Sequence, residues 1–240
     1  MYQYRTQQGR RAGLCGCING LIVLAILVGG VSFVLLRAHN GVTLSVGPHP
    51  TIIGDSCGGS VLISAGPANQ VTLAGIFPQY NQDSATNTIE ITQCDQGLTI
   101  TVPPQANIQM DASDSITVLG VSGTLNLSTN GSRITLEQVT LDGQSKIDDN
   151  GGTIVFNGSL AAGSTPKIDD NGGSIDLTLP AIASFHLTLS GILGPIASNV
   201  PGVQDPSDKS GDVQVNVGSN ASGTNLTLSL NDTALVLRKV

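Results

Sequence analysis

Lys146-Ile147-Asp148-Asp149-Asn150-Gly151-Gly152 is repeated letter for letter at Lys167-Ile168-Asp169-Asp170-Asn171-Gly172-Gly173, 21 residues further on. A fainter copy, Asn130-Gly131-Ser132, lies 20 residues upstream of Asn150-Gly151-Gly152. Equivalent backbone turns therefore recur at a fixed short period. A period of that size predicts a β-solenoid, an array in which each coil of about 20–21 residues buries its apolar face only against its neighbours. Asn-Gly suits the corner of such a coil, because glycine has no Cβ and asparagine tolerates the left-handed region. The expected repeat turns are Asn130-Gly131, Asn150-Gly151 and Asn171-Gly172.

Around these turns the side-chain period is two. Val42, Leu44 and Val46 alternate with Thr43 and Ser45, Leu98, Ile100 and Val102 with Thr99 and Thr101, and Ile175, Leu177 and Leu179 with Asp176 and Thr178. Val213, Val215 and Val217, then Leu226, Leu228 and Leu230, do the same. Each such run reads as a strand with one face buried. Clusters of Gly, Asn, Asp and Pro separate them, and beyond residue 41 no window carries a helical period. The fold class expected is all-β. Aromatic residues are 3% of the chain and Trp is absent, so the core is built from Val, Ile, Leu and Ala, which suits thin layered sheets.

Leu14 to Leu36 is 23 residues without a charge. As a helix it spans roughly the 30 Å hydrocarbon layer. The run ends in Phe33-Val34-Leu35-Leu36-Arg37, a poor site for signal-peptide cleavage, so an uncleaved anchor is expected. Arg5, Arg10 and Arg11 before it, against Arg37 after it, place the N-terminus in the cytoplasm. Cys15, Cys17 and the Gly16/Gly20 pair read as ordinary small residues of that helix. The expected organisation is a cytoplasmic tail 1–13, a single-pass transmembrane helix 14–36, a linker 37–41 and an extracytoplasmic β-solenoid 42–240. Within the last, 42–104 is an N-terminal cap region, 105–199 the core coils, 200–211 a Pro/Ser/Asp-rich loop and 212–240 the C-terminal coils.

All 17 acidic residues lie at or beyond Asp55, against six Lys and Arg beyond residue 40, which gives the exterior part a net charge of −11. A field of that sign repels phosphate backbones, so nucleic acid is not an expected partner. Cys57 and Cys94 are the only cysteines of the exterior part, and an even pair outside the membrane predicts a disulfide.

Gly54-Asp55-Ser56-Cys57-Gly58 matches the pattern of a nucleophilic serine, but Val61-Leu62-Ile63 continues as a strand where such an elbow needs a helix. His39, His49 and His186 have no Cys or Glu at metal-ligand spacing and read as surface or turn residues. No enzyme activity and no cofactor are expected. Stacked coils would bring Asp148 and Asp149 near Asp169 and Asp170, since neighbouring strands are about 4.8 Å apart. Two readings remain open: solvated turns neutralised by Lys146 and Lys167, which is the simpler, or a Ca²⁺ site built from these oxygens.

The runs GVSGTLNLSTNGSRITL from Gly120, KIDDNGGTIVFNGSL from Lys146 and KIDDNGGSIDLTLP from Lys167 resemble a bacterial adhesin-domain family, provisionally so named and of unknown function, related to auto-transporter adhesin head domains. The resemblance covers residues 42 to 237 and is strongest from 115 to 191. It implies a β-solenoid, a cell-envelope location, a bacterial origin and no catalytic residues to transfer. A bacterial origin would leave the glycosylation sequons at Asn126, Asn130, Asn157, Asn220, Asn225 and Asn231 without a role. The function expected is a membrane-anchored, non-enzymatic, adhesin-like or envelope interaction module that takes a surface polymer, glycan or protein ligand. The alternative is a structural or sensory envelope component that self-assembles through its coils as a homo-oligomer.

Overall fold

The computed structural model describes residues 41–76, 78–94, 96–203, 212–218 and 223–240. The Leu14–Leu36 segment, with Cys15, Cys17 and His39, lies outside the described residues, and no described helix is long and apolar enough to cross a membrane. Gly41–Val240 forms one compact unit.

The described part is all-β, as the alternation predicts. Its strands, in chain order, are β1 Val42–Ser45, β2 Thr51–Cys57, β3 Val61–Ala65, β4 Gln70–Gly75, β5 Gln79–Asp83, β6 Thr88–Gln93, β7 Leu98–Val102, β8 Asn107–Ala112, β9 Ile116–Leu119 and β10 Ser122–Gly123. They continue with β11 Leu125–Thr129, β12 Arg133–Leu141, β13 Lys146–Asp149, β14 Thr153–Leu160, β15 Lys167–Asn171, β16 Ser174–Leu179, β17 Phe185–Ser198, β18 Val213–Val217 and β19 Asn225–Lys239.

Two parallel ladders run through the unit. The first pairs β6, β2, β8, β11, β13, β15, the first half of β19 and the first half of β17. The second pairs β7, β3, β9, β12, β14, β16, the second half of β19 and the second half of β17. A turn joins the two strands of each rung; in the repeated rungs that turn is the Asn-Gly corner. Ile108, Met110, Leu125, Leu127, Ile147 and Ile168 point inward from the first ladder and Ile134, Leu136, Ile154, Phe156, Ile175 and Leu177 from the second, all at most 1% exposed. Burial of an aliphatic side chain of this kind stabilises by about 1.5–3 kcal/mol.

The rungs are not stacked in chain order. The rung of β2 and β3 lies between the rung of β6 and β7 and that of β8 and β9. The C-terminal β19 likewise lies between β15–β16 and β17. Sequence periodicity is confined to the middle because a ladder needs matched side-chain faces, not a fixed offset along the chain. Antiparallel strands flank the ladders: β5 on β6, β4 with β1 on β7, and β18 on β17. Cys57, at the end of β2, is bonded to Cys94, just after β6, which ties two rungs that are neighbours in space.

The corners explain the double glycine. Gly131, Gly151 and Gly172 have φ of 76°, 97° and 90°. The second glycine has a different reason to be glycine. A Cβ on Gly152 would overlap the Ser132 carbonyl oxygen and Asp149 Oδ2, whereas a Cβ on Gly172 would meet nothing within 4 Å. Gly152→Ala is therefore expected to cost about 1–3 kcal/mol through overpacking against backbone that cannot give. Gly172→Ala carries only the positive-φ cost of about 1–2 kcal/mol. Urea midpoints of the two variants under one condition test the order, and a Gly172→Ala that costs more than Gly152→Ala refutes it.

Candidate functional site

The outward face of the first ladder carries most of the distinctive polar residues, because in-register parallel pairing stacks like positions into rows. One row holds Gln109, Asn126, Lys146, Lys167, Thr227 and Thr188. The next holds Asp111, Ser128, Asp148, Asp169, Ser229 and Ser190. Within a row, neighbours repeat at the strand spacing of about 4.8 Å. Lys146 Nζ meets Asp148 Oδ2 at 2.7 Å and Lys167 Nζ meets Asp169 Oδ1 at 3.0 Å, so positive and negative rows run side by side. The Asp148 hydrogen bond holds the Lys146 ammonium above its usual value. Lys146, Asp148 and Lys167 are about half exposed and Asp169 is 18% exposed, and exposed pairs of this kind contribute little to stability. They leave charge available to a ligand. A shallow open depression of about 650 Å³ lies over this face, lined among others by Asp148, Asp169, Ser229 and Asn171.

At the edge of the face the corner asparagines form a ladder of their own. Asn150 Nδ2 donates to Asn130 Oδ1 at 3.3 Å, Asn171 Nδ2 to Asn150 Oδ1 at 3.0 Å, and Asn231 Nδ2 to Asn171 Oδ1 at 2.6 Å. The fourth member, Asn231, is absent from the sequence expectation, because Asp232 (φ 56°) replaces the glycine there. A signal was present: Leu228-Ser229-Leu230-Asn231-Asp232-Thr233-Ala234-Leu235 has the phase of Ile168-Asp169-Asp170-Asn171-Gly172-Gly173-Ser174-Ile175.

The four aspartates of the repeated heptamer do not converge. Strand alternation sends Asp148 and Asp169 outward beside their lysines and buries Asp149 and Asp170, which are 1% and 3% exposed. Among the described residues no group of three or more His, Cys, Asp or Glu side chains is arranged to hold a metal ion. Asp149 instead fastens the corner below it. Its Oδ1 accepts hydrogen bonds from Thr129 Oγ1 at 2.8 Å, the Gly131 amide at 3.1 Å and its neighbour Asn150's amide at 2.9 Å. Asp170 is its equivalent one rung on. Burial pushes the Asp170 carboxyl above the ordinary aspartate value. The Thr233 hydroxyl pulls it back, the Asp149 carboxylate adds to the rise, and the Gly151 and Asn171 amides lower it. None of these donors completes a hydrogen bond: both Asp170 carboxyl oxygens, like Asp149 Oδ2, are buried without a partner. The Thr233 hydroxyl lies at 2.9 Å from the Asp170 backbone carbonyl oxygen instead.

The remaining residues singled out by the sequence are dispersed. Ser56 sits at positive φ in the irregular stretch of β2 between Gly54 and Cys57. His49 is in a turn at φ 51°, and His186 Nδ1 is 2.9 Å from Asn216 Oδ1 on the neighbouring strand. Neither histidine is hydrogen-bonded to Ser56.

The fold and this face define the chain as an all-β protein of paired parallel ladders. No known family and no curated protein matches it. A solved structure that it resembles is a protein of Clostridium sporogenes ATCC 15579, provisionally described as a cell adhesion protein. Identity is 10%, the match covers 84% of this chain and 100% of that one, and the TM-score is 0.45.

Proposed function

We propose that the chain is a membrane-anchored, non-enzymatic interaction module of the cell surface, adhesin-like in role, with residues 42–240 folded as a β-solenoid. Its ligand is an extended surface polymer, glycan or protein laid across the outward face of the first ladder. The observation that supports this most directly is the alignment of that face into rows of Lys, Asp, Ser, Thr and Asn. No aromatic platform lies among these rows, so each rung offers hydrogen bonds and weak charge contacts only. Affinity then has to come from several rungs engaged at once.

A soluble 41–240 fragment is expected to bind long surface polymers and to bind short fragments of them poorly. Joint replacement of Lys146, Asp148, Lys167 and Asp169 by alanine should weaken that binding at least about tenfold, or about 1.4 kcal/mol. Absence of binding to glycans, polymers and surface proteins would refute the reading. Concentration-dependent oligomers in analytical ultracentrifugation would then favour the self-assembling envelope component. Against such assembly, the outer half of β17 carries Pro195, which lacks an N–H, and two register breaks, features that blunt an open edge.

A further inference from the structure

We propose that the inner corner between the rungs of β13 and β15 is a proton-binding site, in which Asp170 takes a proton from solvent and donates its O–H to the Gly152 carbonyl oxygen. The inference is independent of any ligand on the outer face. It starts from register: Asp149 and Asp170 are direct partners in a parallel ladder, both inward and both almost wholly buried. Two ionised carboxylates one strand spacing apart repel strongly when water is excluded.

The surroundings offer no charge to offset this. Lys167 and Asp169 lie on the opposite face of β15, occupied with each other. From β13 the only titratable group facing Asp170 is Asp149. From β19 come Leu230 and Thr233, with Asp232 exposed on the turn. From β16 comes uncharged Ser174. Asp149 differs in that three donors hold its Oδ1. Asp170 has no completed hydrogen bond on either oxygen.

The acceptor for a proton is already in place. The position a Cβ would take on Gly173 is in overlap with Gly152 O and lies 2.8 Å from Asp170 Oδ2 and 2.9 Å from Asp170 Oδ1. Gly152 O and the Asp170 carboxyl oxygens therefore both border the space over the bare glycine. Gly152 O accepts the Ser174 amide at 3.1 Å and, as a carbonyl, has a second lone pair free. An O–H between carboxyl and carbonyl satisfies both groups and removes the repulsion. A cation fits worse, because among the described residues no group of three or more His, Cys, Asp or Glu side chains is arranged to hold one.

The sign follows from linkage. The folded state holds the proton more tightly than the unfolded chain, whose aspartate titrates near the ordinary 3.8. The stabilisation is fully present below that value and is lost as pH rises through the folded value. The unfolding constant rises about tenfold for each pH unit between the two.

The test is urea unfolding of the full chain in mild detergent at pH ~5 and pH ~8, wild type beside Asp170→Asn. The variant places an N–H donor where the proton would be. Its midpoint should equal or exceed the wild-type midpoint at the higher pH, and the wild-type excess at low pH should be absent from it. The difference between the two proteins, not the pH dependence of either alone, is the diagnostic. Infrared spectra should show a protonated-carboxyl band in the wild type that Asp170→Asn removes. The proposal is overturned by equal pH dependence in both proteins, by an Asp170→Asn chain weaker at every pH, by lack of that band, or by a Ca²⁺-dependent rise in midpoint that the variant abolishes.

Discussion

Phe156→Ala is expected to cost about 3–5 kcal/mol, among the largest effects of a single core truncation in this unit. Phe156 is fully buried in β14, in register with Leu136 on one side and Leu177 on the other. Its partners in register are both leucines, so neither neighbouring rung supplies a ring to fill the space. Nor can the rungs close on it, because the β12–β14–β16 ladder fixes their separation at about 4.8 Å. Gly158 lies against the ring: a Cβ there would overlap the Val139 carbonyl oxygen and lie 3.0 Å from Phe156 Cζ. The cost thus contains both the lost transfer energy and an unrelieved cavity. Urea unfolding with an unchanged m value measures it. A loss below about 1 kcal/mol would show that the rungs do collapse and that the ladder is softer than its register suggests.

Removing the Cys57–Cys94 bond is expected to cost nearly as much, about 4 kcal/mol in the chain-entropy account. The two cysteines are 37 residues apart in sequence, and the loop they close is where the stacking departs from chain order. The rung of β2 and β3 must insert between two rungs that follow it in the chain. The bond holds its corner to β6 while that is achieved and afterwards. Cys57 is fully buried and Cys94 is 6% exposed, with Met110 Sδ 3.7 Å from Cys57 Sγ, so serine hydroxyls at these positions would add a desolvation cost. Rungs in such an array answer mainly to their neighbours, so the loss should be local first. In the Cys57→Ser, Cys94→Ser double variant, amides of residues 51–65 and 88–102 should exchange faster than those of β12 to β16. Uniform protection across all rungs would contradict this.

The four aspartates of the heptamer show where sequence reasoning stops. Their identity and spacing are plain in the repeat, and so is the proximity of one copy to the next. Their separation into an outward charged pair and an inward pair follows from alternation, yet counting them as one cluster of oxygens hides it. That Asp149 fastens the Gly131 corner depends on a hydrogen bond across rungs 18 residues apart, which requires the register itself. Asn231 escapes for a related reason: its rung is 60 residues from that of Asn171 along the chain but next to it in space.

The sequence by itself determined what each strand does locally. Alternation set which side chains are buried, as at Leu98, Ile100 and Val102 or Leu226, Leu228 and Leu230, and Asn-Gly set where the chain turns. These follow from steric limits within a few residues. Only the tertiary structure decided the order of the rungs, the placing of β19 between β15–β16 and β17, and the polar rows that result. Backbone hydrogen bonding between strands is the same for any pair with matched faces, so which rung lies beside which is settled by the packing of the whole unit.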